Sequence, residues 1–93
     1  MSEPRVAIAN VHPREHARVE GRIVAVRVEP HGAPPQFGVQ VDDGSGRIDA
    51  IFLGRRSVPG IEPGGYVAIE GTVCAAQALP RMFNPTYELL IHA

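Results

Sequence analysis

Ninety-three residues make one small domain, with a core just large enough to hold without disulfide staples. A hydrophobic content of 44% excludes a disordered chain, and the single cysteine, Cys74, excludes an intrachain disulfide. The formal charge of −1 excludes the positive excess of a dedicated non-specific nucleic-acid binder. All nine basic residues are nonetheless arginine. Arginine offers a planar fork for phosphates and base edges, although GC-rich coding produces the same bias without selection.

Residues 1–10 lack a basic stretch followed by an apolar core, and no apolar run approaches the ~20 residues of a membrane span. A cytoplasmic protein without membrane contact is expected. Ten glycines and nine prolines imply many turns and short strands, hence an all-β domain. The expected organisation is a loose lead-in over 1–10 and one domain over 11–93.

Residues 11–16 read as a turn around Pro13. The segment 17–29, ARVEGRIVAVRVE, predicts a long first strand. Val19, Gly21 and Ile23 share one face of its first half, and Val24, Val26 and Val28 share the other face of its second half. A glycine bend at Gly21, or a bulge near Ile23 and Val24, reconciles the two. A Pro-rich loop over 30–36 follows.

Strands over 37–42 and 47–53 flank the turn DDGSG, in which Asp and Ser bond their own backbone and Gly takes positive φ. The pattern is that of a β-hairpin with a short turn. The segment 54–65 predicts a connector holding at most one helical turn, 66–75 a fourth strand, 76–85 a loop and 86–92 a fifth strand. The stretch from Pro13 also echoes the stretch from Pro63, with Val19 falling on Ile69, Glu20 on Glu70 and Gly21 on Gly71. Strands one and four then run side by side at the closing seam of a small barrel.

A bent first strand, a tight hairpin and a longer connector before strand four describe the five-stranded OB-fold Greek-key barrel. The segments VEGRIVAVR, VDDGSGRIDAIFLG, IEPGGYVAIEGTV and NPTYELL resemble that family over about residues 11–91. The combination resembles the nucleic-acid-binding OB domains of the tRNA-anticodon type and the wedge domain of RecG-type helicases. It looks most like small stand-alone bacterial proteins of this kind whose chain ends in a segment like NPTYELL. The resemblance implies a binding groove across strands two and three, flanked by the loops after strands one and four.

On that frame Phe37, Val39, Val41, Ile48, Ala50 and Phe52 face inward, and Gly38, Gln40, Arg47, Asp49 and Ile51 face outward. Candidate nucleic-acid contacts are Gln40 and Arg47 on the groove, Arg22 and Arg27 from strand one, and His31 and Arg81 on the rims. Arg55 and Arg56 form the densest positive spot, as ligand contacts or as an ordinary solvated pair. Phe83 is the aromatic placed to stack a base, the competing reading being loop packing. Aromatics are otherwise scarce, and Asp49 repels phosphate.

Other motifs carry less. His12-Pro13-Arg14-Glu15-His16 spells a zinc-protease pattern, but Pro13 argues against the helix it needs, and a solvated turn is the better reading. Cys74 reads as a buried small hydrophobe, and Asp42 and Asp43 as backbone-capping turn residues. The glycine clusters lack the Lys and helix of a phosphate loop. No cofactor, metal or enzymatic activity is expected. The sequence leaves two functions open: a module for single-stranded or structured DNA or RNA, weak to moderate in affinity, or a protein-interaction or assembly module, with a protein partner or a homo-oligomer. A third, a small hydrolase using the His pair, would require stoichiometric zinc.

Overall fold

The computed structural model describes residues 4–29, 34–75 and 78–91. Its strands are β1 His16–Glu29, β2 Gln36–Asp42, β3 Arg47–Leu53, β4 Tyr66–Cys74, β5 Arg81–Phe83 and β6 Thr86–Leu90, preceded by a 3-10 turn at Ile8–Asn10. Antiparallel pairing joins β1 to β2, β2 to β3 and β5 to β4, and β3 pairs in parallel with β5. Because β4 also pairs with β1, the sheet closes on itself. This is the OB-fold barrel the sequence predicts. Among the described residues no helix is long and apolar enough to cross a membrane.

The first strand serves two neighbours, as its split pattern requires. Residues 16–22 pair with β4 and residues 22–29 with β2, with an irregular register between Ile23 and Ala25. That bulge moves Val26 onto the core face that Val19 and Ile23 occupy earlier in the strand. Gly21 sits at the corner, where an added Cβ would lie 2.6 Å from the Asp42 carbonyl oxygen. The internal echo is also explained, since Val19 and Ile69 are direct partners across the β1–β4 seam.

One expectation is corrected. The segment 76–85 is not all loop, because Arg81–Phe83 forms β5 and closes the barrel against β3. Three residues are too few to display a period of two, and Pro80 and Pro85 hide them. Asn84, at φ 50°, breaks the strand, and β6 resumes along residues 66–70 of β4. The fifth strand therefore comes in two pieces. The connector 54–65 forms turns without a helical turn, and it buries Val58 and Ile61.

All six inward residues of the hairpin are buried, together with Ile23, Ile69, Val73 and Met82. Tyr87 meets Phe52 edge-on at 5.9 Å and donates its hydroxyl to the Pro59 carbonyl. The expected lead-in contributes Ile8, which is only 3% exposed. It is held from the hairpin turn: the Ile8 amide donates to Asp43 Oδ2 at 2.9 Å, and Asp43 Oδ1 also accepts from the amides of Ser45 and Gly46.

Partial burial pushes the Asp43 carboxyl up, but the hydrogen bonds from Ser45, Ile8 and Gly46 outweigh it and hold the group below its ordinary 3.8. A depressed folded-state value stabilises the fold above the unfolded value, and that contribution is lost as pH falls through the folded value. Thermal melting should therefore decline below about pH 4 in the native chain. An Asp43→Asn variant, already lacking the charge, should melt lower at neutral pH and show a shallower acid decline. Parallel acid profiles for the two proteins would remove Asp43 from the account.

Candidate nucleic-acid interface

The outward faces of β2, β3 and β5, with the second half of β1 beside them, form a shallow saddle. Its floor is set by register: Gln40 lies opposite Asp49 and Gly38 opposite Ile51, while Asp49 and Ile51 flank Arg81 and Phe83 of β5. Side chains two apart on one strand stand about 7 Å from each other, so the floor is roughly two bases long.

One half of the saddle is apolar. Ile51 is 6% exposed beneath its neighbours, while Leu53 and Phe83 stand out at 44% and 41%. The Arg81 guanidinium carbon lies 5.9 Å from the Phe83 ring centroid, close enough for a cation–π contact. Asn84 fixes this corner, donating its amide to the Ile51 carbonyl and accepting the Leu53 amide on Oδ1.

The other half is polar. Arg47 donates through Nε to Asp42 Oδ2 at 2.8 Å and through Nη1 to Gln40 Oε1 at 3.0 Å. Hydrogen bonding from the Gly44 amide, and then from Arg47, holds the Asp42 carboxyl below its ordinary range. Arg27 reaches the floor because position 38 has no side chain. A Cβ at Gly38 would come within 3.2 Å of the Arg27 guanidinium carbon, and Arg27 Nη2 stands 3.9 Å from Asp49 Oδ2. Asp49 itself has a side chain only 17% exposed, and its Oδ1 is buried without a hydrogen-bond partner among the described residues.

The structure thus gathers Arg27, Gln40, Arg47, Arg81 and Phe83 on one surface. Arg55 and Arg56 are exposed just beyond β3, at the Leu53 end, with no ion pair to another described residue. Arg22 goes elsewhere. The bend in β1 places it in a separate open cleft of about 470 Å³ with Glu20, Asp42, Asp43 and Tyr66. His31 lies outside the described residues. His12 to Glu15 form a turn, and His16 begins β1, with Nε2 3.0 Å from Glu70 Oε2.

Sequence reasoning missed the apolar step made by Ile51, Leu53 and Phe83 and the facing of Gln40 with Asp49. The first left a signal, since Ile51 and Leu53 are apolar at outward-facing positions. The second needs the strand register.

No family model matches the chain, and no curated protein matches it in sequence. Solved structures do resemble it. The replication factor A related protein from Methanobacterium thermoautotrophicum superposes with a TM-score of 0.74 at 14% identity, over 94% of this chain and 91% of that one. The second OB-fold domain of replication protein A from Methanococcus maripaludis gives 0.74 at 11%, over 97% and 98%. A chain of the S. pombe Stn1–Ten1 complex gives 0.64 at 19%, over 81% and 57%. At these identities the likeness is one of fold, and the protein is an OB-fold domain.

Proposed function

We propose that the protein is a non-catalytic module that binds single-stranded DNA or RNA, or the splayed bases of a structured one, across β2 and β3. The observation that carries this reading is the two-part saddle: an exposed aromatic in contact with Arg81 beside an apolar step, flanked by Arg27, Arg47, Arg55 and Arg56. A base stacks on Phe83 above the buried Ile51, and the arginines meet the phosphates on either side. Arg27 and Arg47 are partly committed to Asp49 and Asp42, so the affinity is weak to moderate. The replication-protein names of two structural neighbours support the same choice.

The test is an anisotropy titration of labelled single strands across a salt series, with Arg55→Ala/Arg56→Ala beside the native protein. For single strands log K falls with log salt by about 0.7 per phosphate neutralised, so the double variant should lose roughly 1.4 from the slope. Binding that ignores salt would contradict the proposal.

The Ile51–Leu53–Phe83 step also supports a second reading, a protein-interaction surface, and one neighbour is a chain of a protein complex. That reading requires a stable dimer or hetero-complex by light scattering, undisturbed by added oligonucleotide.

A further inference from the structure

Asp49 is an awkward residue for a phosphate-seeking groove. It places a carboxylate on the floor, mostly buried, with Oδ1 unpartnered and Oδ2 only 3.9 Å from Arg27 Nη2, at the outer limit of an ion pair. Leaving a buried acceptor unsatisfied is costly, so a donor that reaches Asp49 Oδ1 once the side chains covering it move aside is favoured. Gln40 stands directly opposite on the same face. Its Oε1 accepts from Arg47 Nη1. A guanidinium only donates, which fixes the amide flip and leaves the Gln40 NH₂ as the group free to donate to a ligand.

With Oδ1 uncovered, Gln40 and Asp49 present one donor beside two acceptors. Among the nucleobases, guanine carries the complement on its Watson–Crick edge: the O6 acceptor beside the N1–H and N2–H donors. Adenine and cytosine set an acceptor beside their amino group, and thymine and uracil flank their one N–H with two carbonyls. Either arrangement would point a lone pair at the carboxylate. Phe83 and Ile51 lie one outward position along from Asp49, so a base stacked there has its edge within reach of it.

Resting on the single-strand reading above, we infer that Gln40 and Asp49 select guanine, with Asp49 receiving N1–H and N2–H and Gln40 donating to O6. Asp49 then offsets its repulsion of phosphate with base specificity, as a carboxylate that accepts from a base amino group does elsewhere.

The experiment compares oligothymidines carrying guanine, adenine, cytosine or inosine at the same internal positions. The native protein should bind the guanine strand about 10-fold tighter than the adenine or cytosine strand, with inosine, which lacks the N2 amine, in between. Asp49→Asn should cut that preference to less than about 2-fold. A cooperative thermal melt of the variant shows independently that it folds. Equal native affinity for all four strands, or a guanine preference that survives Asp49→Asn, overturns the inference and leaves the groove standing. Binding to none of the strands overturns the groove reading and the inference together.

Discussion

Phe83→Ala is expected to weaken binding to a single-stranded oligonucleotide by roughly 5- to 150-fold, the equivalent of the ~1–3 kcal/mol that a base stacked on an aromatic contributes. The cost to folding should be small. Phe83 is substantially exposed, and its backbone pairing within β5 does not depend on the ring. Phe83→Trp should keep or improve the affinity, because any flat π-face will stack. Loss of stability in Phe83→Ala with unchanged affinity would instead make the ring a cover for Ile51. Titration and thermal melting of the same samples separate the two outcomes.

Gly21→Val is expected to damage the fold itself. Even the first carbon of a side chain at 21 would lie 2.6 Å from the Asp42 carbonyl oxygen and 2.9 Å from Val41 Cγ1, so strand backbone has to move. Over-packing of this kind costs about 1–3 kcal/mol. In a domain of this size each kcal/mol shifts the melting temperature by roughly 4–8 °C, so the transition should fall by about 5–20 °C. Gly46→Ala is the matched control. An added Cβ there meets Ile8 Cγ2 at 3.4 Å, an ordinary contact, and the change should stay within about 0.5 kcal/mol. Comparable losses in both variants would mean that the corner at Gly21 is not special.

These expectations rest on features of unequal legibility in the sequence. The hairpin faces could be read directly, because alternation of apolar and polar residues is the period of the strand itself: the odd positions of 37–41 and the even positions of 48–52 are the core. The bend in β1 was also legible, since Val19 and Ile23 cannot share a face with Val26 unless one residue is bulged. β5 was not: Met82 is fully buried, but its strand spans three residues between prolines, with no repeat to detect. Ile8 was hidden for another reason. Its burial depends on Asp43, thirty-five positions away, whose turn role was visible but whose Oδ2 partner was not.

The groove divides in the same way. That Gln40, Arg47 and Asp49 point outward follows from parity, and the arginines stand out by residue type. Which arginine is already engaged does not follow. Arg27 crosses β2 only because position 38 is glycine, and Arg22 leaves the groove only because β1 turns away at 21 to 24. Both depend on three strands meeting at once.

The central claim is that the β2–β3 face, closed by β5, is where nucleic acid binds. Backbone amide spectra of the isotope-labelled protein, recorded during titration with a short guanine-containing single strand, test it most directly. The account predicts that the shifted amides cluster in Gln36–Asp42, Arg47–Leu53 and Arg81–Phe83, with the side-chain amide of Gln40 among them. Shifts centred instead on the opposite face, around His16, Glu70 and Glu88, or an unchanged spectrum at saturating oligonucleotide, would contradict it.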